Sequence, residues 1–268
     1  MLKKTREILS KLSLRQKAAI LTGKDCWSTL EIEEVGLPSV KMSDSPNGIR
    51  MPGCDTDVIP SACALASSFS VDTARRAGEL LGSEFKNAGL DLILGPAMNL
   101  KRSPLCGRNF EYYSEDPHLS GEMAAAFVQG AQEHVGCCVK HFAMNNQETR
   151  RMSVDSVADE RTMHEMYLSP FRTVVEKASP VCMMSSYNKI NGVYASENKN
   201  LLVDILLRNG GSKGLSFPTG APSTISLHPS GREWIWKCLP IPRIRKNSFA
   251  PWRAENLRCV NSTGPARI

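Results

Sequence analysis

Short apolar runs alternate with helical patterns along residues 1–208. The runs are residues 39–42, 92–94, 137–139 and 181–184, and the helical patterns are residues 14–21, 72–88, 120–133, 160–177 and 199–208. A strand-length run followed by a helix is the repeating unit of an α/β protein, and successive units of this kind form a parallel sheet. The sequence therefore predicts an α/β fold with about four strand–helix units in this part of the chain.

Two residues predict how helices end or restart. The pattern at 72–88 repeats apolar side chains at three- and four-residue steps, which gives one apolar stripe. Gly89 follows it, and Gly is the residue type that most often ends a helix in the left-handed conformation. Pro170 lies inside the 160–177 pattern, where its ring is expected to kink or restart the helix.

The charge of the chain changes abruptly, because no Asp follows Asp204. Residues 209–268 contain nine Lys and Arg against two Glu. Of the 33 basic and 27 acidic residues in the whole sequence, 24 and 25 respectively lie in 1–208. Three of the four Trp also fall in 209–268, without the periodicity of a helix or a strand. We expect 209–268 to be a basic, disordered tail of different character from 1–208.

Membrane, metal and cofactor functions have no support in the sequence. It has no apolar run of about 18 residues, the length that a membrane helix needs. Nine cysteines with no Cys-x-x-Cys pair favour free thiols in a reducing compartment. Cys137 and Cys138 lie in an apolar run, which favours core packing over metal ligation. We expect a cytoplasmic protein without metal or cofactor.

Polar residues follow three of the four predicted strands. Asp44 follows the first, Lys140 and His141 follow the third, and Tyr187 follows the fourth. Residues that carry chemistry in a parallel barrel lie at the carboxyl ends of its strands. Taken singly, Asp44 before Ser-Pro is typical of a turn, and His141 of a buried, hydrogen-bonded histidine. Their repetition at successive strand ends favours one shared site.

Four segments resemble a known family. They are KMSDSPNGIR (41–50), KRSPLCGRNFEYYSEDP (101–117), KHFAMNNQETRR (140–151) and MSSYNKINGVYASENKNLL (184–202). Together they closely resemble the amino-terminal barrel of glycoside hydrolase family 3, and most of all its bacterial β-glucosidase branch. The resemblance covers residues 12–208. It implies an incomplete (β/α)8 TIM-type barrel, with four of the eight strands, followed by a non-homologous tail.

The resemblance also implies retaining hydrolysis of terminal β-glycosides. That reaction needs two carboxyl groups about 5 Å apart, one as nucleophile and one as acid/base. By position, Asp44 matches the acceptor for the hydroxyls of the terminal sugar, and Arg108, Lys140 and His141 match donors around the same ring. Arg151 and Tyr187 match groups beside the nucleophile. A β-glucoside or oligosaccharide is the expected partner.

Three further acidic residues occur in the same motifs, namely Glu111, Glu115 and Asp116. We interpret them as structural groups that pair with basic side chains beneath the loop. The family nucleophile is the Asp of a Ser-Asp-Trp sequence on the next strand, after Glu-Trp-Gly-Phe. Neither sequence occurs in this chain, so no catalytic residue can be named.

The genetic code offers an explanation for the loss. Asn209-Gly210-Gly211-Ser212 can be encoded as AAT GGG GGT TCA. One G placed in front gives GAA TGG GGG TTC, which encodes Glu-Trp-Gly-Phe. In the same restored frame, residues 217–220 permit TCC GAC TGG, which encodes Ser-Asp-Trp with its Asp across the 218/219 junction.

A second phrase of the family is hidden farther on. The frame that overlaps residues 232–239 permits Gly-Met-Asp-Leu-Glu-Met-Pro. Trp has a single codon, so Trp234 and Trp236 force the Asp and the Glu of that phrase. We infer that a one-base deletion, either in the gene or introduced by a sequencing error, puts residues 209–268 out of frame. Residues 1–208 are then a partial family 3 barrel domain whose fourth strand is left with an open edge.

Three functions are compatible with the sequence. By resemblance the protein is a β-glucosidase, but without the nucleophile, and with the family's acid/base Glu in a later domain, we expect it to be inactive. The alternatives are a non-catalytic sugar-binding remnant and an inert fragment. Nucleic-acid binding through the basic tail is disfavoured, because translation in a second frame readily produces Arg, Pro, Ser and Trp. The oligomeric state stays open.

Overall fold

The computed structural model describes residues 2–44, 47–51, 56–209 and 215–217. The helices are α1 Leu2–Lys11, α2 Leu14–Thr22, α3 Ala62–Ala66, α4 Val71–Asn87, α5 Pro117–Ala131, α6 Glu160–Thr162 and α7 Ser169–Ala178. The strands are β1 Met42–Asp44, β2 Leu92–Leu94, β3 Gly136–Phe142, β4 Asp155–Ser156, β5 Cys182–Ser185, β6 Lys189–Ile190, β7 Val193–Tyr194 and β8 Leu215–Phe217. Short 3₁₀ turns occur at Glu33–Val35 and Asn109–Glu111, and π-helical segments at Met163–Leu168 and Asn200–Asn209.

Five strands form a parallel sheet in the order β1-β2-β3-β5-β8. Helix α4 packs against α5, and α5 packs against α7, so that the helices form a layer beside the sheet. Each predicted strand and helix is present. The strand at 92–94 has the predicted bounds, and the other bounds shift by up to three residues. The pattern at 160–177 is divided into α6, a π-helical segment and α7, and the last predicted helix is the π-helical segment Asn200–Asn209. The α/β fold of an incomplete TIM-type barrel is therefore confirmed.

The two faces of the sheet carry separate apolar clusters. Ile93, Val139 and Met183 belong to the main core, which lies between the strands and the helices. Their chain neighbours Leu92 and Cys138 belong to a second cluster on the opposite face. Because successive strand residues point to opposite faces, this second cluster marks the inner side of the curved sheet.

One sequence-based expectation is wrong, because the fourth strand of the sheet is not an edge. β8 pairs with β5 in parallel, with Cys182 opposite Leu215 and Met184 opposite Phe217. The pairing uses main-chain groups that every residue other than proline carries in full, so the change of character after Arg208 does not prevent it. The other residues of the predicted tail, 210–214 and 218–268, lie outside the described residues.

The helix boundary signals read from the sequence are confirmed. Helix α4 ends at Asn87, and Gly89 adopts a φ of +71°. The amide of Gly89 donates to the carbonyl of Lys86, and the amide of Leu90 donates to the carbonyl of Phe85. This pair of bonds satisfies two carbonyls at the helix end. Pro170 lies in the first turn of α7, directly after a π-helical segment, so it restarts the helix.

A second, three-stranded sheet lies beside the main one, in the order β4-β6-β7. Its hairpin turns at Asn191-Gly192, where both residues have positive φ. Asn-Gly is the preferred pair for the tight turn of a hairpin. Asn188, just before β6, donates to the carbonyl of Ala143. This hydrogen bond connects the loop that follows β5 to the loop that follows β3.

The cysteines of the described residues are free thiols. Cys137, Cys138 and Cys182 are fully buried, and burial raises the pKa of the Cys137 thiol. No group of metal-binding side chains is found among the described residues. Cys137 and Cys138 are thus core residues, as the sequence predicted. In the searched part of the chain, no helix has the length and apolar character that crossing a membrane requires.

Helices α4 and α5 approach each other through glycines. A Cβ added at Gly130 would overlap the carbonyl oxygen of Arg75, and one added at Gly82 would lie 2.7 Å from the carbonyl oxygen of Ala131. Distances this short cannot be relieved by turning a side chain, because the obstructing atoms belong to the backbone. Glycine is therefore required at this helix crossing.

We predict that Gly130→Ala lowers the free energy of unfolding by about 3 kcal/mol, because the two helices must separate to admit the methyl group. Urea denaturation followed by circular dichroism measures this change. Gly107→Ala is the matched control, because a Cβ there meets no described atom within 4 Å. Equal stability of the two variants would contradict the close packing of α4 on α5.

Candidate active site

All six predicted binding residues follow strands of the parallel sheet at its carboxyl edge. Asp44 ends β1, Arg108 lies in the loop after β2, and Lys140 and His141 lie near the end of β3. Arg151 lies in the loop after β3, and Tyr187 lies in the loop after β5. The strands run parallel, so these loops open on the same side of the sheet.

A bulge in β3 gives Lys140 and His141 their positions. Lys140 pairs with Met184 and Phe142 pairs with Ser185, so that His141 is the extra residue of the strand. A bulge bends a strand and re-aims a side chain, and bulges are common beside active sites. Two consecutive polar side chains can therefore serve one site, although strand residues ordinarily alternate between faces.

Lys140 is a buried cation held between two carboxylates. Its Nζ lies 2.5 Å from Oδ1 of Asp44 and 3.8 Å from Oε2 of Glu111, and its side chain is 2% exposed. Burying an ammonium group costs several kcal/mol unless it is paired. The pairing joins β1, β3 and the loop after β2. Asp44 keeps 33% of its side chain exposed, so it can also meet a ligand.

Glu111 binds a second cation, Arg108, through the guanidinium Nε. Burial acts to lower the pKa of Arg108, but Glu111 and the neighbouring Tyr112 and Glu148 outweigh it and raise that pKa. Glu111 therefore neutralises one buried and one partly buried cation. The interpretation of Glu111 as a structural partner of basic groups is confirmed. Asp116 is structural in a different way from the prediction, because it caps α5 by accepting from the amide of Leu119 at 2.6 Å.

His141 is buried and held by Asn99. Asn99 donates through Nδ2 to the carbonyl of His141 at 2.9 Å, and its Oδ1 accepts from the amide of His141 at 3.0 Å. Oδ1 also lies 3.3 Å from the ring Nδ1. Burial lowers the pKa of His141 well below its usual range, and the charges of Arg108, Lys140 and Arg151 lower it further. The ring is therefore neutral at pH 7.

Arg151 and Tyr187 lie together at the other side of the site. The guanidinium carbon of Arg151 lies 5.3 Å from the centre of the Tyr187 ring, and Nη1 of Arg151 donates to Glu148 at 2.7 Å. Glu148 also accepts from Asn145, whose Nδ2 contacts the hydroxyl of Tyr112 at 3.0 Å. Tyr112 meets the ring of His141 edge to face, which links this side to the rest of the site.

Four residues of this network were not predicted, namely Asn99, Tyr112, Asn145 and Glu148. Tyr112, Asn145 and Glu148 lie inside the motifs read from the sequence, but nothing in their spacing distinguishes a partner of the site from a core residue. Asn99 follows the buried residues Ala97 and Met98 after β2. Because Asn99 follows a strand, the sequence could have indicated it as a residue of the site.

The arrangement fits a polyhydroxylated ligand. It offers carboxylate oxygens as acceptors and ammonium and guanidinium groups as donors, which suits the paired hydroxyls of a sugar. Among the described residues of the site, the carboxylates Asp44, Glu111 and Glu148 are each ion-paired with a cation. These ion pairs hold the carboxylates in fixed positions around the site.

Comparison with known families identifies the family of the chain. Residues 13–218 match the model of the glycosyl hydrolase family 3 N-terminal domain. The match covers most of the sequence, and the chain therefore belongs to glycosyl hydrolase family 3. It extends beyond Arg208 to Pro218, so it includes β8.

Several relatives share this domain. The thermostable β-glucosidase B of Acetivibrio thermocellus is 45% identical over 213 residues, covering 75% of this chain and 28% of that protein. A β-glucosidase of Rhizobium radiobacter is 42% identical over 270 residues, covering 98% of this chain and 32% of that protein. The second alignment therefore runs through most of the basic tail.

Solved structures of β-glucosidases are also similar to this chain. β-Glucosidase 3B of Thermotoga neapolitana in complex with glucose superimposes with a TM-score of 0.76 at 40% identity, over 80% of this chain and 33% of that one. The Kluyveromyces marxianus β-glucosidase in complex with glucose gives a TM-score of 0.78 at 40% identity, over 82% and 27%. The chain thus spans about a third or less of the length of these relatives.

We predict that Glu111→Gln lowers the free energy of unfolding by about 3 kcal/mol, because it leaves the buried Lys140 and the partly buried Arg108 with too few anionic partners. Chemical denaturation provides the measurement. Glu176→Gln removes a carboxylate from an exposed pair on α7 and should leave stability unchanged. If both substitutions had the same small effect, the buried ion-pair network would not be a source of stability.

Proposed function

We propose that the carboxyl edge of β1, β2, β3 and β5 binds the terminal glucosyl unit of a β-glucoside. The observation that carries this proposal is the buried Lys140–Asp44 pair, which presents a fixed donor and a fixed acceptor at the mouth of the sheet. Family membership supports it, because similar β-glucosidases have been solved with glucose bound. Arg108 and His141 complete the ligand contacts in this proposal.

Arg151 and Tyr187 have a different proposed role. In a retaining glycosidase, a cation and a phenol beside the nucleophile would keep that carboxylate ionised and oriented. In this chain Arg151 is paired with Glu148 instead. We propose that the pair Arg151–Tyr187 borders the position that a nucleophile at the end of β8 would occupy, where the sequence has no Asp or Glu before Glu233.

The register of β8 supports this position for a nucleophile. β8 ends at Phe217, opposite Met184 of β5, and the 218/219 codon junction follows directly. A carboxylate encoded at this junction would follow the end of its strand, as Asp44 stands at the end of β1. The frame explanation therefore supplies a nucleophile at the strand end where the family needs it. The alignment that extends through the tail is the observation that counts against it.

We also propose a compartment and a class of partner. Free thiols at the described cysteines suit a reducing compartment such as the cytoplasm. In this proposal the site binds its ligand through a small group of ion-paired side chains at the sheet edge, which suits a small sugar and not a nucleic acid. No membrane or nucleic-acid partner is proposed.

We predict that the 268-residue chain binds glucose without hydrolysing glucosides. In isothermal titration calorimetry, Lys140→Met should weaken glucose binding about tenfold or more, because it removes a charged donor. Lys177→Met is the control, since Lys177 pairs with Glu122 on the outer helices. Circular dichroism of both variants verifies that the fold is kept.

Hydrolysis is measured with an aryl β-glucoside. Release of the phenol by the wild-type chain should equal that by Lys140→Met, because no glycosyl-enzyme intermediate can form without a nucleophile. Turnover well above the Lys140→Met level would contradict the proposed loss of catalysis. Absence of glucose binding would leave an inert fragment as the correct description.

A further inference from the structure

Asn99 contacts both the main chain and the imidazole ring of His141. Its amide makes two hydrogen bonds to the main chain of His141, one donated to the carbonyl and one accepted from the N–H. These two bonds distinguish the nitrogen of the Asn99 amide from its oxygen. The oxygen Oδ1 is therefore the atom that lies 3.3 Å from Nδ1 of the imidazole ring.

The orientation of Asn99 determines which ring nitrogen carries the proton. A carboxamide oxygen can only accept a hydrogen bond, so the contact with Nδ1 is favourable only when Nδ1 is protonated. In a neutral imidazole the other nitrogen, Nε2, then has a free lone pair. The neutral form is favoured, because burial and three neighbouring cations lower the pKa of His141.

The second ring nitrogen is available to a ligand. Among the described residues, Asn99 is the hydrogen-bond partner of the ring, and it contacts Nδ1. Nδ1 is therefore occupied by Asn99, and Nε2 is the ring nitrogen that we take to face a ligand.

We propose that Asn99 is a positioning residue that holds His141 in the Nδ1-protonated tautomer, so that Nε2 accepts a hydrogen bond from a sugar hydroxyl. This inference rests on the proposed sugar-binding function and revises one part of the sequence reading, in which His141 was a donor. Lys140 and Arg108 remain donors, whereas Asp44 and His141 are both acceptors.

An acceptor at Nε2 of His141 restricts which ligands the site can bind. A group that meets His141 must carry a hydrogen to donate, so a hydroxyl fits and a fluorine or a methoxy group does not. A buried polar group that loses its partner in this way costs binding energy. The site therefore requires a free hydroxyl opposite His141, in addition to the hydroxyls that Asp44 recognises.

The tautomer can be measured directly. Nitrogen-15 NMR of the histidine rings in the full 268-residue chain distinguishes a protonated from an unprotonated ring nitrogen, and His141→Gln identifies the signals of His141 by their loss. At pH 7 we expect a protonated Nδ1 and an unprotonated Nε2, before any sugar is added. A protonated Nε2, or a doubly protonated ring, would overturn the inference.

Substitution of Asn99 tests its role. Asn99→Leu keeps a similar volume without an acceptor, so the ring signals should shift to a mixture of tautomers and glucose binding should weaken about tenfold. Asn99→Asp retains an oxygen beside Nδ1 and should restore the protonated-Nδ1 signal. Asn146→Ala is the matched control, because Asn146 donates to the carbonyl of Leu100 in the same segment without contacting His141. Unchanged His141 signals in Asn99→Leu would also overturn the inference.

Calorimetry with a set of deoxyfluoroglucoses tests the acceptor role of Nε2. One member of the set should bind the wild-type chain about tenfold more weakly than glucose, and this penalty should disappear in His141→Phe, whose ring has no acceptor nitrogen. A penalty that persists in His141→Phe would contradict the proposed contact. If the tautomer is as expected but no glucose binds, the role of Asn99 in fixing the ring stands and the proposed sugar-binding function fails.

Discussion

The buried ammonium group of Lys140 is the constraint on which the rest of the site depends. A cation with 2% of its side chain exposed needs anionic partners, and it finds them on two other elements, Asp44 at the end of β1 and Glu111 in the loop after β2. That loop must therefore fold back over the sheet. In doing so it brings Arg108 beside Glu111 and Tyr112 beside His141. One ion-pair network thus brings three strand ends together at the candidate site.

The same network forms entirely within the described residues. Asp44, Glu111 and Glu148 each have a cationic partner in this part of the chain, so the ion pairs form without a carboxylate after β8. A ligand site and a reaction centre are separable in this fold, because binding groups and catalytic groups come from different strand ends. The described residues hold the groups that we propose for binding.

Much of the fold followed from periodicity, because strands and helices in α/β proteins have distinct apolar patterns. Gly89 and Pro170 marked helix boundaries, and the strand ends marked the site. The pairing of β8 with β5 was missed, since main-chain pairing is largely independent of side-chain character. The donor role expected for His141 also could not be refined from sequence, because the tautomer depends on Asn99, which is distant in the chain and close only after folding.

We propose that the attacking carboxylate of this family 3 domain is encoded in a frame that is not translated. The nucleotide sequence of the gene decides the matter, because a hidden Glu-Trp-Gly-Phe and a hidden Ser-Asp-Trp fix the third base of six codons. We expect AAT, GGG and GGT for Asn209, Gly210 and Gly211, and TTT, CCG and ACT for Phe217, Pro218 and Thr219. A different third base at Pro218 would remove the hidden Asp and disprove the frame explanation.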